Sequence, residues 1–146
     1  MTHEKWMLLA IEQAKLAEES GEVPIGAIII QNDQLIATGF NRTIQNNDPS
    51  AHAEICCIRN AGQKMGNHRL LNTTLYITLE PCIMCYGAII QARITHVVFG
   101  ASDPKNGIIS QNKLAEFSFN HQPKVVANIC QDICKRQLKT FFNQRR

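Results

Sequence analysis

Apolar and polar positions along the first half of the chain follow two different periods. From Thr2 to Ser20 the apolar residues fall at Trp6, Leu9, Ala10, Ala14 and Ala17, the three-to-four spacing that lines one face of a helix. Gly21 is placed to end it. Gly26 to Ile30 is a short apolar run, Asn32-Asp33 is turn chemistry, and Leu35 to Phe40 is a second run of strand character. Together these predict a β-hairpin. Asn41 to Asp48 is polar and reads as a loop. Asp48-Pro49-Ser50 then punctuates the chain before a second helix over about Ala51 to Met65, with Gly66 beyond its end.

The second half alternates. A strand is predicted over Thr74–Thr78, a helix from Pro81 to about Ala92, a strand over His96–Phe99 closed by Gly100, a loop over Ala101–Gly107, a strand over Lys124–Ala127 and a last helix over Gln131–Phe142. Proline at position 81 suits a first helical turn, where its missing N–H costs nothing. The expected order is α-β-β-α-β-α-β-α-β-α, which asks for one further helix between the last two strands. Strands separated by helical crossovers pair in parallel, with helices on the sheet faces. The leading hairpin makes this five-stranded sheet mixed, and the fold class is α/β.

Composition narrows the setting. A length of 146 residues predicts one domain, spanning 1–146, large enough to bury roughly 70% of its unfolded surface. With 45% hydrophobic and 18% charged residues, the chain has the balance of an ordinary soluble protein. No apolar run approaches the ~20 residues of a membrane span. The polar start, Met1 to Trp6, lacks a signal peptide's apolar core. The expected location is therefore the cytoplasm, where the six cysteines call for burial or metal binding in place of disulfides.

The net charge of +3 is unevenly spread: residues 1–73 carry six Lys/Arg against eight Asp/Glu, and residues 74–146 carry nine against four. Five of those nine, Lys135, Arg136, Lys139, Arg145 and Arg146, lie at the C-terminal end. Such a run is either a solvated helix face or a phosphate-contacting patch.

Two short segments carry the chemistry. His52-Ala53-Glu54 opens the second helix, and Pro81-Cys82-Ile83-Met84-Cys85 opens the third. One His and two Cys supply three ligands and leave the fourth tetrahedral position of a catalytic zinc free. A helix N-terminus favours the thiolate forms of the cysteines. The bland reading is a closed structural zinc site, with Cys56, one turn from His52, as a fourth ligand. The alternative for Cys56 and Cys57 is that they are small buried hydrophobes, and Cys130 and Cys134 read as core residues of the last helix. His3, His68, His96 and His121 lack ligand spacing. Glu54 separates the readings. A carboxylate two residues from a ligand is poorly placed to bind the same ion, but it can act as a general base and then a general acid on a water activated there.

At these residues the sequence resembles the cytidine-deaminase-like superfamily, and within it the bacterial tRNA adenosine deaminases. The roles attached to the H-x-E…P-C-x-x-C pattern are known of zinc deaminases as a class; the spacing alone does not supply them. The resemblance runs over nearly the whole chain, most closely at Glu22–Ala27, Gly39–Arg42, Asp48–Glu54, Leu75–Cys85 and Arg93–Gly100. The last six residues, Phe141 to Arg146, resemble the family's basic, aromatic final helix. It implies a three-layer α/β/α cytidine-deaminase-like fold, one Zn2+ per subunit, and hydrolysis of the wobble adenosine of a tRNA anticodon loop to inosine. Carried over residue by residue, Asn41 would bond the base or ribose, and the Ala53 backbone and Glu54 would read the purine edge. The loop Ala101–Asn106, with Asp103 and Lys105, would meet flanking nucleotides, while Phe142, Arg145 and Arg146 would hold the anticodon loop. A homodimer is implied too. The sequence departs from the family at Ser102, at Pro104 and over Ile108–Gln111, which is bulkier and more polar than the usual small-residue run.

The physics is compatible with that substrate. Unstacked loop bases are read in pockets, aromatic stacking is worth ~1–3 kcal/mol per base, and basic side chains add salt-dependent phosphate contacts. Phe141 and Phe142 have an alternative reading as core. The competing function is a guanine, cytosine or cytidine deaminase acting on a free base or nucleoside, which has no need of the basic tail. A riboflavin-pathway deaminase is disfavoured by the short Cys82–Cys85 spacing, a silent zinc-binding RNA module by Glu54, and a purely structural zinc domain by the open coordination position.

Overall fold

The computed structural model describes residues 1–145. In chain order the elements are α1 (His3–Glu19), β1 (Gly26–Gln31), β2 (Gln34–Phe40), α2 (Ala53–Met65), β3 (Thr74–Leu79), α3 (Ile83–Ala92), β4 (His96–Ala101), β5 (Lys124–Val126) and α4 (Gln131–Gln144). The further helix expected between β4 and β5 is absent; one 3-10 turn, Lys113–Glu116, stands there. That segment contains Pro104, Gly107 and Pro123, and Asn112 takes a left-handed φ of 56°, so no continuous helical run is available. A second correction matters more. α2 and α3 each begin two residues later than expected, which turns His52 and Cys82 into the residues flanking their helices.

The sheet order is β2-β1-β3-β4-β5. β1 pairs antiparallel with β2 and β3, while β3–β4 and β4–β5 are parallel. The β1–β2 connection is the two-residue turn Asn32-Asp33, both with positive φ (52° and 59°), a geometry that matches strand twist and that Asn and Asp tolerate. In β2, Ala37 pairs with Ile29 and Leu35 with Ile30, leaving Ile36 as a bulge.

Alternate side chains of each strand enter opposite cores, as the strand period of two requires. Ala27, Ile29, Leu75, Ile77, Val97 and Phe99 pack with residues of α2 and α3. Ile28, Ile30, Tyr76 and Val98 face the other way, onto Trp6, Met7 and Ala10 of α1 and Cys134 of α4. The result is the expected three layers, helices over both faces of a mixed sheet. Burying one large apolar side chain contributes about 1.5–3 kcal/mol, and the strand residues above are almost all inaccessible.

The edge where β3 and β4 end is where α2 and α3 begin. Close seating of α2 depends on Gly39. A Cβ there would lie 2.5 Å from the Cys57 backbone nitrogen and 2.8 Å from the Ala53 carbonyl oxygen. Only a residue without a side chain lets the start of α2 lie directly on β2.

Candidate active site

His52 precedes α2 with φ −67° and ψ 158°, and Cys82 precedes α3 with φ −79° and ψ 176°. Both have the extended backbone of an N-cap residue, a position usually held by Ser, Thr, Asp or Asn, whose oxygens bond back onto the helix. Neither side chain caps its helix. Instead they converge: His52 Nδ1 is 3.7 Å from Cys82 Sγ and 3.4 Å from Cys85 Sγ, and all three donor atoms lie within 4.8 Å of one another. Tetrahedral bonds of about 2.3 Å to sulfur and 2.0–2.1 Å to nitrogen would separate such donors by about 3.5–3.8 Å. The spacing therefore suits a metal ion, and three donors leave one direction for a ligand from outside the protein.

Electrostatics prepare the donors. Hydrogen bonding from Cys85, aided by His52, brings the Cys82 thiol down to about 4. Cys85 is raised by the same hydrogen bond and by burial. The hydrogen bond with Cys82 raises His52. Glu54 stands two residues beyond His52, inside the first turn of α2, and is buried. Burial pushes its carboxyl up to about 7, into the range where a carboxylate both takes and returns a proton near neutrality.

The other sulfurs are separate from this group. Cys56 is half-buried, and its thiol points to the Ala51 carbonyl at 3.7 Å; it is not the fourth ligand. Cys57 and Cys134 are buried as expected. Cys56 and Cys130 are only half-buried; Cys130 caps α4 in a left-handed conformation (φ 56°) instead of lying inside the helix. His3 bonds the Tyr76 hydroxyl and His121 the Ile94 carbonyl, both at 2.7 Å.

A cavity of about 710 Å³ opens over the cluster, within the range of small-molecule sites. His52, Glu54 and Cys82 form its floor. Ser102 to Asn106, with Leu138 and Phe142 of α4, form its rim. Asp103 and Lys105 are therefore at the cavity, but Asp103 Oδ1 already accepts from the Lys105 and Asn106 backbone N–H groups at 3.0 and 3.1 Å. Phe142 is half exposed, whereas Phe141 is buried.

Asn41 follows β2 and is buried, and its Oδ1 has no hydrogen-bond partner. An unsatisfied buried acceptor costs about 1–3 kcal/mol, and Asn41 is not among the residues that line the cavity. Ala53 is fully buried and does not line the cavity. Arg145 does not line the cavity. Its guanidinium stacks 3.5 Å from the centre of the Phe141 ring. Arg146 lies outside the described residues.

Three residues at this edge escaped the sequence reading: Leu138, one turn before Phe142, and two buried acids, Glu22 and Glu80. Glu22 accepts from the backbone N–H groups of Ile44 and Gln45 at 3.1 and 2.7 Å, fixing the loop after β2. Glu80 does the same for the rim loop. Their one visible signal was a carboxylate set among apolar neighbours, Leu79-Glu80-Pro81 and Glu22-Val23-Pro24.

A family model for MafB19-like deaminases matches residues 1–146. The tRNA-specific adenosine deaminase of Haemophilus influenzae is 44% identical, over 98% of this chain and 84% of the relative. A solved structure from work on A-to-I editing by tRNA:A34 deaminases at the wobble position of transfer RNA matches with a TM-score of 0.88. It is 40% identical and covers 92% of this chain and 99% of that one. A solved guanine deaminase from Bacillus subtilis is 38% identical with a TM-score of 0.67, covering 70% of this chain and 66% of that one.

Proposed function

We propose that this chain, which belongs to the MafB19-like deaminases and to the tRNA-specific adenosine deaminases within that fold, hydrolyses the wobble adenosine of a tRNA anticodon loop to inosine and ammonia. The observation that carries the chemistry is the buried Glu54 carboxyl beside the His52, Cys82 and Cys85 donors on one cavity floor. Two thiolates and an imidazole are the donor set of a catalytic zinc site, so Zn2+ is the metal of this reading. Zinc bound there supplies water acidic enough to be deprotonated near neutral pH.

The chain's own groups do the rest. A Glu54 carboxylate oxygen takes the proton of the attacking water and delivers it to the exocyclic nitrogen as that nitrogen leaves. Asn41 Oδ1 accepts a hydrogen bond from the substrate, and the Ala53 backbone meets the purine edge. Asp103 and Lys105 border the flanking nucleotides. Phe142 offers a ring face for stacking, worth about 1–3 kcal/mol per base, and Arg145 and Arg146 attract the backbone phosphates.

A homodimer of single-domain subunits belongs to the same reading. It is supported by an apolar face at the start of α3, where Ile83 (59% exposed), Met84 and Phe117 are open to solvent beside the cluster of Tyr86, Leu114 and Phe119. No helix among the described residues is long and apolar enough to cross a membrane, and the tRNA substrate points to the cytoplasm.

The second reading, a guanine deaminase, is favoured by the similarity to the Bacillus subtilis enzyme. Incubation with an anticodon stem-loop bearing a wobble adenosine, and separately with guanine, cytosine and cytidine, decides between them. Inosine in the stem-loop alone is the expected result. Ammonia from a free base alone would overturn the proposal.

A further inference from the structure

We infer that Glu80 is a positioning residue whose buried carboxylate fixes the rim loop of the cavity and thereby sets how tightly RNA is held. This rests on the RNA reading above. Glu80 directly follows β3, two residues before Cys82, and only 3% of it is exposed. Oε1 accepts from the Asp103 backbone N–H at 2.9 Å and from the Ser110 hydroxyl at 2.7 Å. Oε2 accepts from the Ile109 and Ser110 backbone N–H groups at 2.8 and 2.6 Å. Neither ion pair among the described residues involves Glu80. A buried carboxylate without a cation is costly unless N–H and O–H donors replace its water, and here every donor comes from the one loop.

Those donors sit at the two ends of the segment that faces the cavity. Asp103 is held at its start and Ile109-Ser110 at its close, while Pro104, Lys105 and Asn106 between them, with Ser102 just before, line the rim. Two other contacts reinforce the tie: Gln111 Nε2 donates to the Pro104 carbonyl at 2.7 Å and the Ile108 N–H to the Pro81 carbonyl at 3.2 Å. The loop backbone also passes so close over the acid that a Cβ on Gly107 would run into the Glu80 carboxyl. Ser110 and Gln111 are thus the loop's fastenings. Cys82 and Cys85 need none of this, because the backbone of α3 orients them. Loss of the Glu80 carboxylate therefore loosens the rim and leaves the floor in place.

The test compares the zinc-loaded parent with Glu80→Gln, in which an amide N–H2 faces donors where an oxygen accepted them. KM for the anticodon stem-loop should rise about tenfold or more, kcat should change far less, and metal content should hold. Hydrogen exchange at the amides of Asp103, Ile109 and Ser110 should accelerate. Glu80→Asp, which keeps the charge, should recover part of the affinity. An unchanged KM with unchanged exchange overturns the inference, and so does a fall of kcat and metal content together without a rise in KM. If Glu80→Gln does not fold, Ser110→Ala removes a single donor and should raise KM in the same direction by a smaller factor; a parental KM there overturns the inference. A parent that makes no inosine overturns the functional reading instead, and exchange at the three amides still decides whether Glu80 anchors the loop.

Discussion

At the floor of the cavity, His52 and Cys82 meet the buried Cys85 because two helix starts aim them at one point. At the rim, Ser102 to Asn106 keep their places through Glu80, Ser110 and Gln111. Each donor is aimed by its own helix start, and the fold brings the two starts together across 30 and 33 residues of chain. The rim is a product of contacts between residues 23 to 30 positions apart. The chain is similar both to a tRNA deaminase and to a guanine deaminase. Substrate choice has to come from the rim.

This division can be broken experimentally. The largest effect should follow from removing a ligand: Cys82→Ala, or treatment with a strong chelator, should abolish both bound metal and deamination, measured by metal analysis beside inosine formation. Re-adding zinc should restore the chelated parent and not the variant. Next, Glu54→Ala should keep its metal and lose about 10²–10⁴-fold in kcat, the usual contribution of a positioned proton carrier. Near-parental turnover would remove Glu54 from the mechanism.

Rim changes should read out differently. Phe142→Ala should raise KM for the stem-loop about tenfold, as loss of one stacked base predicts, with kcat largely kept. A fall in kcat and metal content instead would erase the boundary between floor and rim. The smallest effect belongs to Arg145→Ala combined with Arg146→Ala, which should lower the slope of log affinity against log salt by about one to two. An unchanged slope would leave Arg145 as what its stacking on Phe141 already makes it, a clamp on the end of α4.

Much of the floor was legible in the chain. HAE and PCxxC name the three donors that the fold brings together and the acid that it buries, and proline and the turn residues bracket the helices. What was misjudged is instructive: the helices were read as beginning at Ala51 and Pro81, and the two-residue shift makes His52 and Cys82 flanking residues whose side chains are free to turn away from the helix. The missing helix between β4 and β5 and the half-exposed Cys130 share a cause. Spacing counts residues and does not register left-handed backbone at Asn112 and Cys130. Leu138 and Phe142 fit a helical stripe equally well as core or as rim, and only the packing of α4 beside the cavity separates Phe142 from its buried neighbour Phe141.

By itself, then, the sequence determined the elements, the alternation that sends odd and even strand residues into different cores, and the residue types of the reactive cluster, because each depends on neighbours within a few positions. Tertiary structure alone decided that Gly39 lets α2 lie on β2, that Asn41 keeps an unpaired acceptor, and that Glu22 and Glu80 are anchors instead of surface charges. Those outcomes depend on which distant backbone N–H groups surround a side chain once water has been excluded, and no local pattern of residues encodes that.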